Sequence, residues 1–123
     1  MITKLETQRL ILRKLKLSDW KDIVEGCGDL RVARMIATIP YPYRRKDAIY
    51  WLKKAIKNFG KEEYSFAIEL KSEKKVIGCM AVHDINKFYG TGISGSWINP
   101  KYQNRGYITE AKIAINEFVF NKL

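Results

Sequence analysis

Residues 103–111 (QNRGYITEA) have the side-chain types and spacing of an anion site. Polar and flexible residues run directly into a helical pattern, with Gly106 at the junction. A helix N-terminus carries unpaired backbone N–H groups and about half a positive charge, so it can receive an anion. Because glycine has no Cβ, the backbone at Gly106 can approach phosphate oxygens closely. The stretch predicts a diphosphate site, and the alternative is a tight strand-to-helix turn with Arg105 in solvent.

No strong catalytic base stands out. His83 is the only histidine and is followed by Asp84 near the end of a strand-like run, so it could accept a proton directly or through water. A structural contact at a strand end is the other interpretation of His83. Glu63 and Glu69 fit ordinary surface positions, and Glu110 fits a partner of backbone N–H groups or of the helix dipole. We assign no catalytic residue from the sequence.

The periodicity of apolar residues predicts the elements that position these groups. Alternation predicts four strands, at residues 9–16, 64–70, 76–85 and 93–99. Apolar residues three and four apart predict three longer helices, at residues 20–27, 46–59 and 108–120, and residues 30–37 could add a short one. Ser18 is the predicted cap of the first helix, and Gly60 should end the second. Ile113 and Phe120 lie off the main apolar face of the last helix, which predicts that it is covered on more than one side.

Composition bounds the class of protein. With 123 residues, of which 46% are hydrophobic, the chain suits one α+β domain over residues 1–123. The net charge of +10 would attract nucleic acid, an acidic membrane surface or a phosphorylated cofactor, although scattered lysines are typical of a solvated face. Cys27 and Cys79 lie far apart without a CxxC or clustered histidines, so neither a metal site nor a disulfide framework is predicted. No apolar run reaches the length of a signal peptide or membrane span, so we expect a soluble, cytoplasmic protein without membrane contact.

Residues 94–120 (SGSWINPKYQNRGYITEAKIAINEFVF) resemble the cofactor-binding segment of the GNAT superfamily of acetyl-CoA-dependent N-acetyltransferases. Within it, they are most similar to the RimJ/RimL-like branch of ribosomal-protein acetyltransferases. Those proteins carry a Q/R-x-x-G-x-G/A loop, often followed by Thr-Glu-Ala. This chain matches at Gln103, Gly106 and residues 109–111, and departs at Ile108, where the family has a small residue. Further resemblance covers essentially the whole chain in the family's order, at residues 7–20 (TQRLILRKLKLSDW), 39–52 (IPYPYRRKDAIYWL) and 74–85 (KKVIGCMAVHDI).

The resemblance implies the GNAT fold, an α/β mixed sheet in the order strand, helix, helix, three strands, helix, with acetyl-CoA as cosubstrate. Loop amides would hold the coenzyme A diphosphate, and the edge of the strand before the loop would pair with the pantetheine amides. The cofactor-binding residues so implied are Trp97, Ile98, Asn99, Gln103, Asn104, Arg105, Gly106, Tyr107, Ile108 and Thr109. Tyr41 and Tyr43 lie in the loop that borders the acceptor cleft in the family, and ordinary packing is the alternative for both.

The implied reaction is direct attack of a neutral amine on a thioester. An α-amino group of pKa near 8 is about one-tenth neutral at pH 7, whereas fewer than about one lysine in a thousand is. A protein or peptide N-terminal α-amine is therefore the favoured acceptor. One alternative is a coenzyme A-binding or dimerisation module without catalysis. Another is a basic nucleic-acid- or ribosome-binding protein, against which no nucleic-acid motif is present and the aromatic residues follow core periodicity.

The family continues beyond the last helix with another strand, a helix and a closing hairpin. The resemblance therefore implies that this chain is C-terminally truncated. In the family, the cofactor enters the gap between the strand at residues 93–99 and the next strand. Without that next strand, an apolar sheet edge would be left open. Since open edges pair with other chains, a homodimer that buries this edge is a further hypothesis.

Overall fold

One antiparallel sheet of five strands organises the protein, in the order β1-β2-β3-β4-β5. The computed structural model describes residues 4–33, 40, 42–61, 63–86 and 91–122. The strands are β1 (Lys4–Glu6), β2 (Leu10–Lys14), β3 (Glu63–Leu70), β4 (Lys75–Asn86) and β5 (Thr91–Ile98). The helices are α1 (Trp20–Cys27), α2 (Leu30–Ala33), α3 (Arg45–Asn58) and α4 (Tyr107–Glu117), and a π-helical turn (Phe118–Lys122) follows α4. Within these ranges, no helix is long and apolar enough to cross a membrane.

The predicted order of elements and the α+β class are confirmed. The sheet differs from the prediction in two respects: between the described residues it is antiparallel and not mixed, and it has one additional strand. All strand pairs between the described residues are antiparallel. The additional strand β1 pairs with β2 through three residues, Lys4 to Glu6, which are too few for alternation to reveal. Residues 34–37 of the predicted short helix lie outside the described residues, and α2 is described only to Ala33.

Helices cover the two faces of the sheet, and each face has its own core. On one face α1 and α3 bury Ile23 and Leu52 against β3 and β4, and on the other α4 buries Ile115. Successive side chains of a strand point to opposite faces, so Phe66 of β3 joins the α4 core whereas Ala67 joins the α1/α3 core. In β4, Ile77 and Met80 join the α4 core and Val76 and Cys79 join the α1/α3 core. The prediction of a central strand with two apolar faces is therefore confirmed for residues 76–82.

The approach to α1 differs from the predicted Ser18 cap, which is wrong. Ser18 is exposed in a 3-10 turn, Leu17–Asp19, and the Asp19 carboxylate accepts the Lys16 N–H at 2.8 Å. Asp19 is buried and also receives two guanidinium bonds from Arg13, at 2.9 and 3.0 Å. Asp19 holds the N-cap position of α1 without a side-chain capping bond, because its carboxylate is bonded to Lys16 and to the half-buried Arg13 instead.

Two predictions about the longer helices had different outcomes. The prediction that Gly60 ends α3 is confirmed, since Phe59 is extended and Gly60 has φ of 81°. The prediction that α4 is covered on more than one side is wrong at Ile113, which is 66% exposed, although Phe120 packs against the core. The sheet covers only the α4 face that contains Ala111 and Ile115.

Strands β4 and β5 approach each other closely at Gly78. A Cβ added there would lie 2.4 Å from the Trp97 carbonyl oxygen and 3.1 Å from the Ile98 Cα. Both are backbone atoms held in the ladder between β4 and β5. The glycine in residues 74–85 therefore sets the position of the last part of β5, next to the predicted anion loop.

Candidate functional site

Asn99 fixes the direction in which the chain leaves β5. Its N–H donates to the Ile77 carbonyl at 2.7 Å. Its side-chain oxygen accepts the Lys101 N–H at 3.0 Å, and its amide nitrogen donates to Glu25 on α1 at 2.7 Å. Asn99 is 3% exposed, and its N–H and side chain are both committed within the protein. The following 3-10 turn, Pro100–Tyr102, therefore starts from a fixed point.

The loop between this turn and α4 bends through two left-handed residues, Asn104 with φ of 62° and Gly106 with φ of 80°. Asparagine and glycine are the residues that most readily adopt this conformation. Gly106 precedes the first residue of α4, and its carbonyl accepts the Glu110 N–H at 3.0 Å. The first-turn N–H groups of α4 have no partner within the helix and remain available to an anion.

A groove of about 300 Å³ lies against this loop. Its lining residues are Ile98, Tyr102, Gln103, Asn104, Gly106, Tyr107, Ile108 and Thr109. The structure thus brings together seven of the ten cofactor-binding residues predicted from the sequence. Arg105 is exposed beside the groove, with its guanidinium carbon 5.9 Å from the Tyr102 ring centre. Ile108, which departs from the family pattern, also packs against the α4 core.

A carboxylate from α4 ties the loop to the start of β2, in an arrangement that we call the Glu110 clasp (Thr7, Arg9 and Glu110). The carboxylate accepts the Thr7 hydroxyl at 2.5 Å, the Arg9 N–H at 3.0 Å and the Arg9 Nε–H at 2.7 Å. Arg9 also donates to the Arg105 carbonyl at 2.9 Å, and its guanidinium carbon lies 4.4 Å from the Tyr107 ring centre. Glu110 lies in the first turn of α4 and accepts a backbone N–H, as predicted, but that N–H belongs to Arg9, from the opposite end of the sequence.

The clasp favours the ionised form of Glu110. Burial raises the pKa of this carboxyl, but the hydrogen bonds from Thr7 and Arg9 outweigh burial and hold the pKa below its ordinary value. A depressed carboxyl pKa contributes stability that is present above the unfolded value and is lost as pH falls through the folded value. The clasp should therefore weaken only below about pH 4.

We expect Glu110→Gln to lower the free energy of unfolding at neutral pH by about 1 kcal/mol, since Glu110 is 19% exposed and Arg9 40%. The melting temperatures of variant and wild type should converge as pH falls below about 4. Glu6→Gln is the matched control, because Glu6 is 58% exposed and lies 3.4 Å from Lys71. Equal melting of Glu110→Gln and wild type at neutral pH would contradict the clasp.

A second cavity, of about 680 Å³, lies between α1, α3 and the sheet. Its lining residues are Cys27, Pro40, Tyr43, Asp47, Tyr50, Trp51, Ser65, Cys79, Ala81, His83, Gly95, Ser96 and Trp97. The predicted acceptor residue Tyr43 is among them and is buried, whereas Tyr41 lies outside the described residues. His83 lies on the wall, and its partner across the ladder is Glu63. Asp47, Tyr50 and Trp51 were not predicted as site residues, although the helical pattern of α3 places them on adjoining positions.

The cavity contains no ready nucleophile among its described thiols and its buried phenol. Burial raises the pKa of Cys27 to about 12 and that of Cys79 well above its ordinary value. Burial likewise raises the pKa of the Tyr43 phenol. All three groups therefore stay protonated near neutral pH. A protonated thiol is a poor nucleophile, because the thiolate is the reactive form. Among all residues that the structure describes, no group of three or more His, Cys, Asp or Glu side chains could hold a metal ion.

The cavity and the groove are neighbours along β5, on the α1/α3 face and the α4 face of the sheet respectively. Gly95, Ser96 and Trp97 line the cavity, and the next residue, Ile98, lines the groove. Among the described residues β5 pairs only with β4, so its other edge presents backbone groups to an extended ligand. A ligand along this edge would have its anionic end at α4 and its other end in the cavity.

Comparison with known proteins identifies relatives of this chain. Residues 9–123 match the family described as acetyltransferase (GNAT) domain. The chain is 31% identical over 119 residues to the uncharacterized N-acetyltransferase YnaD of Bacillus subtilis (strain 168), and this match covers 95% of the chain and 65% of YnaD. The chain therefore spans about two thirds of the length of this curated relative.

Solved structures share the fold. A provisionally assigned ribosomal-protein-serine acetyltransferase from Vibrio cholerae superposes with a TM-score of 0.77 at 24% identity, over 98% of this chain and 69% of that one. The microcin C7 self-immunity acetyltransferase MccE, solved in complex with acetyl-CoA and AMP, superposes with a TM-score of 0.72 at 17% identity, over 91% of this chain and 63% of that one.

Proposed function

Since the chain belongs to the GNAT acetyltransferase family, we propose that it transfers the acetyl group of acetyl-CoA to a primary amine. The single observation that supports this proposal is the strand edge of β5, left unpaired among the described residues, which runs from the cavity to the groove at the start of α4. We assign residues 1–123 to one GNAT domain of the RimJ/RimL-like kind. The two cysteines are free and buried, which fits the reducing cytoplasm.

The groove fits the diphosphate of acetyl-CoA. Gly106 lines the groove, and a Cβ added there would lie 3.4 Å from the Arg9 guanidinium, so the groove offers a cationic group close to the backbone. First-turn N–H groups of α4 would bind the phosphates, and the open edge at Trp97 and Ile98 would pair with the pantetheine amides. Asn99 is less suited to this pairing, because its N–H is bonded to Ile77. Bound acetyl-CoA would supply an acetyl group activated as a thioester, and MccE, with the same fold, was solved with this molecule.

The cavity would hold the acceptor amine and exclude water from it. In the proposed reaction, the ammonium loses a proton to His83, directly or through water. The amine nitrogen then bonds to the acetyl carbon, the carbon–sulfur bond breaks, and the nitrogen loses a second proton, which balances the proton that the released thiolate takes up. A protein or peptide N-terminal α-amine is the proposed acceptor, because it is neutral far more often than a lysine side chain. The Vibrio cholerae neighbour, described as a ribosomal-protein-serine acetyltransferase, gives support for a protein acceptor only.

The function is tested by calorimetric titration of the chain with acetyl-CoA and by mass spectrometry of amine-bearing peptides after incubation with it. We expect binding at about micromolar Kd and a mass gain of one acetyl group at the peptide N-terminus. Binding without transfer would make the chain a coenzyme A-binding module. Absence of binding would overturn the proposal.

His83→Ala should lower kcat at least about tenfold, because a positioned acid–base group contributes that factor or more. The KM for acetyl-CoA should change less than about twofold, because proton transfer to His83 stabilises the transition state and does not contribute to substrate binding. Imidazole added to the variant should restore part of the rate, which a purely structural role of His83 would not allow. An unchanged kcat would contradict proton transfer to His83.

A further inference from the structure

The outward side of α3 carries a row of lysines, the α3 lysine face: Lys46, Lys53, Lys54 and Lys57. At 3.6 residues per turn, these lysines and Tyr50 fall within about 100° of the helix circumference. All are exposed, and Tyr50 is 73% exposed, whereas Leu52 and Ala55 on the opposite side are buried. The row extends about 16 Å along the helix.

The charge of this face is not neutralised within the described part of the chain. None of the four lysines lies in an ion pair there, and the charged pairs that form involve other basic residues. The only acidic residue of α3, Asp47, accepts the Arg44 N–H at 2.9 Å. Like charges three and four residues apart on a helix repel each other. A partner with carboxylates along the same line would relieve this repulsion.

The α3 lysine face is continuous with the cavity. Asp47, Tyr50 and Trp51 line the cavity, and Tyr50 also belongs to the sector that holds the lysines. Lys54 lies one helical turn beyond Tyr50, about 5–6 Å away between Cβ atoms. A segment that leaves the cavity beside Tyr50 therefore meets the lysines within about two residues of extended chain.

The charges of the cavity and of the face have opposite sign. The described cavity lining includes the Asp47 carboxylate and no lysine or arginine. A peptide N-terminus arrives as a cation, which suits this lining, and the lysines outside suit carboxylates that follow it. This pattern is that of a single segment with an amino terminus at one end and acidic residues after it.

We propose that the acceptor is an acidic peptide segment, with its N-terminal residue in the cavity and its following carboxylates on the α3 lysine face. This inference rests on the proposed function. It favours a peptide over a nucleic acid because the segment on the face must be covalently joined to a basic amine. Tyr50 is also the only aromatic residue of this face, whereas single-stranded nucleic acid is usually held by several stacking rings.

The test compares acetylation of short peptides that share one N-terminal residue and continue with glutamates, glutamines or lysines. We expect the KM of the glutamate peptide to be about tenfold lower than that of the glutamine peptide, and the KM of the lysine peptide to be higher than both. A tenfold change is what a few exposed ion pairs supply. Rising ionic strength should reduce the difference. Equal KM values for the three peptides would overturn the proposal.

The double variant Lys53→Glu/Lys57→Glu should reverse the order of the glutamate and lysine peptides. Its control, Lys4→Glu/Lys74→Glu, makes the same charge change on exposed lysines of β1 and the β3–β4 turn. The control should keep the wild-type order. An equal effect of both variants would show that only net charge matters, and would overturn the assignment to α3.

Binding of a labelled glutamate peptide, followed by fluorescence anisotropy, separates the two proposals. If no peptide is acetylated, the proposed function fails. The docking proposal is still supported if the glutamate peptide binds more tightly than the glutamine peptide and loses this advantage in the α3 variant. Single-stranded RNA that displaces neither peptide supports it further. Binding of RNA to the α3 lysine face without any preference for the glutamate peptide would overturn it.

Discussion

Gly106→Asp should weaken acetyl-CoA binding at least about a hundredfold, which corresponds to about 2.7 kcal/mol. The new carboxylate would lie where the groove is expected to receive a diphosphate. Like charges about 4 Å apart near a protein surface repel by up to about 4 kcal/mol. Calorimetric titration with acetyl-CoA measures the loss directly.

Gly106→Asn is the matched control for this charge effect. Gly106 has φ of 80°, a conformation that asparagine adopts more readily than other side chains, so the control adds similar bulk without charge. We expect the asparagine variant to bind acetyl-CoA at least about tenfold more tightly than the aspartate variant. Equal binding by both variants would mean that the groove near Gly106 does not receive the phosphates.

Gly78→Ala should lower the free energy of unfolding by about 3 kcal/mol, the upper range for overpacking in a packed sheet. The added Cβ would lie 2.4 Å from the Trp97 carbonyl oxygen, and a backbone atom cannot rotate away as a side chain can. For a domain of this size, the loss corresponds to a fall of about 10 °C in melting temperature. Calorimetric or circular-dichroism melting measures it.

Gly95→Ala is the control in the neighbouring strand, because a Cβ there meets nothing within 4 Å. Its melting temperature should stay within about 2 °C of wild type, as for an exposed substitution. Gly78→Ala should also weaken acetyl-CoA binding, since it displaces the part of β5 that leads into the groove. A Gly78→Ala variant that melts like wild type would contradict the close approach of β4 and β5.

Sequence patterns predicted the fold where local periodicity carries the information. Alternation located β3, β4 and β5, and helical spacing located α1, α3 and α4, because these patterns report which side of each element is buried. The same reasoning placed the loop around Gly106 at a helix start, where its positive φ is observed. The identity of the loop's ligand came from family resemblance, because glycine turns alone do not distinguish a phosphate from solvent.

Pairing between distant residues was not predictable from these patterns. Thr7 and Arg9 lie in the stretch at residues 7–20 that resembles the family, yet nothing in their spacing connects them to Glu110. The predicted Ser18 cap failed for a local reason, since the Asp19 carboxylate bonds Lys16 and Arg13 and a capping pattern does not reveal these partners. The cavity was found only in part, because periodicity gives the buried side of α3 but not which elements lie opposite Tyr50 and Trp51.

The Glu110 clasp also has a consequence for the order of folding. The bond from Thr7 to Glu110 joins residues 103 positions apart. Contacts of such high sequence separation form late, since the entropy of closing a long loop opposes them until other contacts are in place. During synthesis, the first residues of the chain must therefore wait for α4 to emerge before the anion loop is held. The loop around Gly106 would then reach its final conformation only after the first residues of the chain have docked against α4.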